Sequence, residues 1–278
     1  MEELYNKTSL RCSKLITKSY STSFSLGIKV LAKQYRMPVY AIYGFVRFAD
    51  EIVDTFHQHD KKALLERFKQ DTYKAIEEKI SFNPVLHSFQ MVVNKYHIEK
   101  PLIEAFLKSM EMDLDKQYYD QSGYEEYIYG SAEVVGLMCL RVFCEGNELE
   151  YQKLKPSACS LGAAFQKVNF LRDIKSDFKE RKRVYFPKVN FDAFTPTQKE
   201  EIEKSIHEDF KAAYEGIKLL PHGARLGVYL AYTYYKKLLE KIQAIPSSKI
   251  QEERIRISDN HKLALLFQSY LKHSFNAI

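Results

Sequence analysis

Asp50-Glu51-Ile52-Val53-Asp54 and, past the midpoint of the chain, Asn169-Phe170-Leu171-Arg172-Asp173-Ile174-Lys175-Ser176-Asp177 share one spacing. In each stretch acidic residues recur four apart, and Asn169 extends the second series by one more step. On an α-helix a step of four stacks side chains on one face, one turn above the next. Apolar neighbours flank both stretches, so the carboxylates are expected to face an interior cleft. Buried carboxylates are costly unless something cationic neutralises them. Oxygen-only ligands with an arginine beside each group suit a hard Mg²⁺ ion carrying a diphosphate.

Each pattern also has a plainer reading. An i,i+4 acidic pair is usually a solvated helix face, but Ile42, Phe45, Val46, Ala49 and Val53 leave Asp50 and Asp54 little room for one. Like charges one turn apart are mildly destabilising unless bridged. Asn169, Asp173 and Asp177 form three rungs on an apolar helix, although Asp and Asn are poor helix-interior residues. Gln166 lies one short turn earlier. Arg47 and Arg172 sit within a turn of an acidic residue; a salt bridge is the plain reading, and bidentate phosphate recognition the functional one. The run Lys179 to Arg183, entering Val184-Tyr185-Phe186-Pro187, reads either as a solvated loop or as a flap covering phosphate. Stripes such as Tyr40, Tyr43, Phe45 and Phe48 are most often core.

Working outward, 10 Gly and 8 Pro in 278 residues leave few breakers, which favours long helices. A hydrophobic share of 45% supports a packed core, and the 28% charged share without polar tracts argues against disorder. A net charge of +6, with basic and acidic residues interleaved, fits solvated surface and attraction toward anionic substrates or a membrane face. No nucleic-acid-binding motif accompanies it. Cys12, Cys139, Cys144 and Cys159 form no CxxC pair and read as reduced core thiols. The eight histidines show no metal-binding arrangement. The start Met1-Glu2-Glu3-Leu4-Tyr5 does not resemble a signal peptide, and no apolar stretch is expected to reach the ~20 residues of a membrane span.

The prolines partition the chain. A helix is expected from Pro38 through Phe56, another from about Lys61 to Lys79, and a third from Pro101 carrying Leu102, Phe106, Met110 and Leu114. After Gln121-Ser122-Gly123, Tyr124 to Glu145 reads as a strongly apolar central helix, and Ser157 to Lys179 as the next. Pro187 and Pro196 bracket an irregular crossing. Further helices are expected over Thr197–Leu219, His222–Ala244 and Ser258–His273. The architecture is all-α, and residues 1–278 are expected to form one domain.

The ordered motifs resemble the squalene/phytoene synthase family, the head-to-head prenyl diphosphate condensing enzymes, over about Ser9 to Phe267. Tyr20-Ser21-Thr22-Ser23-Phe24-Ser25 is similar to the family's Ser-x-Ser-Phe segment, and Tyr40 through Asp54 to its first aspartate signature. Tyr127 to Gly136 resembles its Tyr-x-Tyr-Gly-x-Ala-x-x-Val-Gly helix. Leu161 to Pro187 resembles the second signature with an Arg-x-Tyr-x-Pro tail, Arg183 to Pro187. Two positions depart from the pattern: Glu133 replaces a residue usually small, and Tyr20 stands where some members carry His.

The resemblance implies an isoprenoid-synthase helical bundle around a central cavity. It implies Mg²⁺ (or Mn²⁺) held by Asp50, Asp54, Asn169, Asp173 and Asp177, with the four aspartates serving catalysis. Substrate contacts are implied at Tyr20, Ser21, Ser23, Tyr43, Arg47, Tyr129, Gln166, Arg172 and Tyr235. The expected reaction joins two geranylgeranyl diphosphates through a cyclopropyl diphosphate to phytoene. The nearest alternative uses farnesyl diphosphate to give squalene or dehydrosqualene, and only squalene formation needs NADPH. A remoter alternative is a non-catalytic relative acting in assembly, which should have lost its acidic ladders. Prenyl diphosphates are the expected partners, with peripheral membrane contact as an option and no nucleic acid. A monomer or weak homodimer, cytoplasmic or peripheral on the inner membrane face, completes the expectation.

Overall fold

The computed structural model describes residues 1–115, 118–180, 183–187, 189, 191–250, 252 and 255–274. Its elements are α1 (Glu2–Tyr20), α2 (Thr22–Lys29), α3 (Lys33–Asp54), α4 (Lys61–Glu78), α5 (Pro84–Tyr96), α6 (Lys100–Asp115), α7 (Gln121–Ile128), α8 (Val134–Cys144), α9 (Glu148–Ile174), α10 (Pro196–Leu219), α11 (His222–Gln243) and α12 (Asp259–Ser274). π-Helical turns follow α7 (Tyr129–Glu133) and α9 (Lys175–Glu180). No strand occurs among the described residues, and only Tyr118 and Val184 form an isolated bridge. The all-α expectation is met.

Local chemistry starts these helices where it should. Asp60, Asn83, Asp120 and Asn147 each accept a backbone N–H from the first turn of α4, α5, α7 and α9. Thr195 and Gln198 form a reciprocal capping box at α10. Several starts differ from the sequence expectation. Helix α3 begins at Lys33 rather than Pro38, because the apolar face continues back to buried Tyr35 and Ala32 N–H is anchored on the Gly223 carbonyl at 2.8 Å. Gln121-Ser122-Gly123 is the first turn of α7 rather than a break, since Asp120 caps the Gly123 N–H at 2.7 Å. Helix α9 starts nine residues before Ser157 and carries Pro156 inside it. Helices α1, α2 and α5 have no counterpart in the sequence reading.

The core runs between α3, α5, α6, α8 and α9. Phe45, wholly buried, stacks on Phe89 at 3.8 Å and touches Phe68 and Phe106. Burying one such side chain contributes about 1.5–3 kcal/mol. The segment Gln121–Cys144 corrects a second expectation: it is 24 residues long and apolar enough to cross a membrane by length and composition. In the fold, 61% of its most apolar stretch is buried, against α6 and α9 among others, so its hydrophobicity is that of a helix covered on most sides. Cys12, Cys139, Cys144 and Cys159 are all unpaired, and burial pushes the thiols of Cys139, Cys144 and Cys159 up to about 12.

Candidate active site

A cavity of about 540 Å³ lies between α1, α2, α3, α6, α7, α8, α9, α10 and α11. Its polar mouth is built from the C-terminal turns of α3 and α9, where Arg47, Asp50, Gln166, Asn169 and Arg172 line it. Going inward, α3 contributes Val46, Tyr43, Ile42 and Val39, and α9 contributes Phe165, Leu161, Ala158 and Leu154. At 1.5 Å per residue the step from Asp50 back to Val39 is roughly 16 Å, and from Asn169 back to Leu154 roughly 22 Å. The cavity is therefore deep, charged at one end and apolar along its length. Leu31, Phe143 and Leu220 complete the apolar wall.

Three carboxylates near the mouth, those of Asp50, Asp54 and Asp173, are each met by an arginine. Arg47 donates to Asp50 at 2.6 Å and to Glu51, while stacking over the Tyr20 ring at 4.3 Å. Burial alone would lower the Arg47 pKa, but Asp50 and Glu51 outweigh it and raise it. The Nε of Arg47 is buried without a hydrogen-bond partner, an orphaned donor suited to an anionic oxygen. Arg172 Nε donates to both oxygens of Asp173 at 3.1 Å. Its pKa too is raised against the effect of burial, chiefly by Asp173. Arg183 reaches Asp54 at 3.2 Å. The salt-bridge reading of Arg47 and Arg172 thus holds in this structure, and it leaves their other N–H groups to serve an anion.

Tyr235 is packed face to face on Phe165 at 4.0 Å and donates its hydroxyl to Asn169 Oδ1 at 3.2 Å. Asn169 Nδ2 in turn donates to Gln166 Oε1 at 3.4 Å, which sets the amide orientation at the third rung. Burial raises the pKa of both Tyr43 and Tyr235, so both stay protonated near neutral pH as donors or ring faces.

Nine of the sequence-expected residues share the cavity: Tyr20, Ser21, Tyr43, Arg47, Asp50, Gln166, Asn169, Arg172 and Tyr235. Asp54, Asp173 and Asp177 do not line it: Asp54 follows Asp50 by one turn, Asp173 is next to Arg172, and Asp177 lies one turn past Asp173. Two expectations need correction. Ser23 belongs to a shallow groove between α2, α11 and α12, because on α2 the cavity-facing positions are Ser21, Phe24, Gly27 and Ile28. Tyr129 is 38% exposed and does not line the cavity; Tyr127, Ser131 and Val135, in steps of four, do. Of the basic run Lys179 to Arg183, Arg181 and Lys182 lie outside the described residues and only Arg183 has a described side chain, so the expected flap goes with them.

The sequence reading missed Asp113 and the contacts it makes with Tyr127, Arg183 and Tyr185, which it quoted only as motif residues. Asp113, on α6, accepts from Tyr127 at 2.7 Å and Tyr185 at 3.2 Å, and Arg183 stands 3.7 Å away. Burial pushes its carboxyl up to about 6, opposed by Arg183 and the Tyr127 hydrogen bond. The available signal was an acid continuing the apolar face Leu102, Phe106, Met110 of α6.

The donor chemistry fits a hard divalent cation, since every acidic or amide side chain at the mouth offers oxygen. Among the described residues no three acidic or imidazole groups converge into a ready-made site. That is compatible with Mg²⁺, which usually binds through one or two carboxylates, waters and substrate phosphates.

The squalene/phytoene synthase family model matches residues 17–260. The chain belongs to the squalene/phytoene synthase family. Members of this family are head-to-head prenyl diphosphate condensing enzymes. Among relatives, it is 26% identical to phytoene synthase 1 of Solanum lycopersicum over 94% of this chain and 67% of that protein. It is 27% identical to 4,4'-diapophytoene synthase of Staphylococcus haemolyticus over 68% of this chain and 66% of that protein. The chain thus spans about two thirds of the length of these relatives. A dehydrosqualene synthase crystal structure superposes with a TM-score of 0.80 at 23% identity, covering 96% of this chain and 98% of that one. A squalene synthase from Alicyclobacillus acidocaldarius gives 0.74 at 18% identity, covering 86% and 95%. At these identities the two structures establish the shared fold.

Proposed function

We propose that this squalene/phytoene synthase relative condenses two geranylgeranyl diphosphates to phytoene, releasing two pyrophosphates. The observation that carries the reading is the deep apolar cavity lined at one end by Arg47, Asp50, Gln166, Asn169 and Arg172. A diphosphate at the mouth meets Arg47 and Arg172, whose guanidinium forks match phosphate oxygens. The prenyl chain extends inward along Val46, Ile42 and Val39. Asp50, Asp54, Asn169, Asp173 and Asp177 are the residues that would hold Mg²⁺ or Mn²⁺. When bound, the metal supplies charge that stabilises the departing pyrophosphate.

The protein's own part is to orient and to exclude water. Cavity walls of Phe165, Val135 and Leu161 keep water from an allylic cation, and the ring faces of Tyr43 and Tyr235 can stabilise its charge. The second substrate's double bond then attacks that cation with loss of a proton, closing a cyclopropyl diphosphate. A second ionisation, rearrangement and proton loss give the hydrocarbon.

The C20 substrate is favoured by the likeness to phytoene synthase 1 of Solanum lycopersicum over 94% of this chain. A farnesyl diphosphate reading keeps the same chemistry and is supported by the likeness to the diapophytoene synthase of Staphylococcus haemolyticus. Squalene as product would add a need for NADPH. Cytoplasmic placement, on or off the inner membrane face, and a monomer or weak homodimer remain part of the proposal. The test is to incubate the purified protein and Mg²⁺ with each diphosphate, with and without NADPH, and identify the hydrocarbon. Phytoene from the C20 substrate alone is the expected result; squalene or dehydrosqualene from the C15 substrate overturns it.

A further inference from the structure

Arg183 is in contact with the outer rung of both ladders. Its side chain, only 10% exposed, reaches Asp54 Oδ1 at 3.2 Å, and its backbone N–H donates to the Asp177 carbonyl at 2.7 Å. Asp54 ends α3 and Asp177 lies in the π-helical turn after α9, so one residue spans the two helix ends that form the mouth. The guanidinium is itself held from behind: Nη2 donates to the Asp113 carbonyl at 2.8 Å, and the Asp113 carboxylate lies 3.7 Å from Nη1. Tyr127 and Tyr185 donate to the two oxygens of that carboxylate. Tyr185 also stacks on Phe170 of α9 at 4.2 Å, which locks the segment after Arg183 against the helix bearing the second ladder.

A buried, hydrogen-bonded charge network of this kind is not explained by stability. Well-packed apolar residues of similar volume are often neutral or stabilising in place of a buried ion pair. What the network does supply is fixed position, at the Asp54 carboxylate and at the Asp177 backbone, on the two helix ends that carry the ladders. The geometry points to Arg183 as a positioning residue, braced by Asp113, Tyr127 and Tyr185, that sets the aim of Asp54 and its separation from Asp177. This rests on the reading of Asp54 and Asp177 as metal ligands. Partners that orient a ligand side chain typically change metal affinity 10–100-fold when removed.

The test reads metal binding without turnover. Thermal melting of the full chain is followed while MgCl₂ is titrated at fixed inorganic pyrophosphate, and the Mg²⁺ concentration at half of the melting-temperature rise is recorded. Arg183→Gln should raise that midpoint at least about tenfold, Arg183→Lys should recover part of it, and Tyr185→Phe should raise it by a smaller factor. Thr195→Ala, which removes a helix cap on α10, should lower the melting temperature and leave the midpoint at the wild-type value. If Arg183→Gln does not fold, Arg183→Lys and Tyr185→Phe decide. Midpoints within twofold of wild type in the folded variants overturn the positioning role alone. A wild-type protein that shows no Mg²⁺-dependent rise overturns the metal reading itself, and this inference with it.

Discussion

At the scale of single residues, three carboxylates near the mouth, Asp50, Asp54 and Asp173, are each answered by a guanidinium. Asp50 with Arg47 and Asp173 with Arg172 are partly buried pairs whose geometry holds without a ligand. Removing one carboxylate leaves its arginine in place and the helix intact, because neither aspartate packs in the core. Asp50→Asn and Asp173→Asn should therefore each reduce product formation by at least about 10²-fold while melting temperature changes little, by analogy with loss of one preorganised charge-stabilising group. Product yield and circular dichroism on the same preparations check this; unchanged rates in both variants remove the metal role from the two ladders. Asp113 and Arg183 could not be found in this way, since their meaning lies in contacts 70 to 129 positions apart along the chain.

At the scale of elements, helix phase decides which side chain reaches the cavity. The π-helical turn Tyr129–Glu133 inserts into the run from α7 to α8 and packs against both α6 and α9. Gly130 is required there: a Cβ at this position would lie 2.4 Å from the Ala105 carbonyl, a backbone atom that cannot swing aside. Gly162 faces the same turn from α9, with a built Cβ 2.8 Å from the Glu133 Cα. Gly130→Ala should cost about 1–3 kcal/mol as overpacking, read as a fall in the thermal or denaturant midpoint. A midpoint equal to wild type would mean that the turn tolerates a side chain and does not set the spacing of α6 and α7. The sequence reading placed Tyr129 inward from a motif match, whereas its helix position, two residues from Tyr127, turns it to the opposite side.

At the scale of the whole molecule, nine of the described helices contribute to one cavity whose length runs along α3 and α9. Under the proposed function, chain-length selection would follow from how far that space extends beyond the mouth, which no local pattern encodes. Cys139, part-buried on α8, lines its middle. Cys139→Phe should shorten the usable space and lower the ratio of C20 to C15 consumption by about 10–200-fold, the range a misfit of one or a few methylenes produces in an apolar pocket. Competition between the two diphosphates, followed by chromatography of the hydrocarbons, measures the ratio. No change in it would place the chain-length limit elsewhere in the wall.

The sequence alone determined the all-α class, the helices other than α1, α2 and α5, the two ladders and most of the mouth, because steps of four and the positions of prolines are local instructions that survive in any packing. Tyr43, Arg47, Gln166, Asn169 and Tyr235 meet in the fold as their spacing or motif implied. Tertiary structure alone decided that Ser23 and Tyr129 turn away from the cavity. It alone assembled Asp113, Tyr127, Arg183 and Tyr185 into one network. Those outcomes depend on the rotational setting of neighbouring helices and on contacts made when distant segments pack, and neither quantity is written in the order of residues along a single helix.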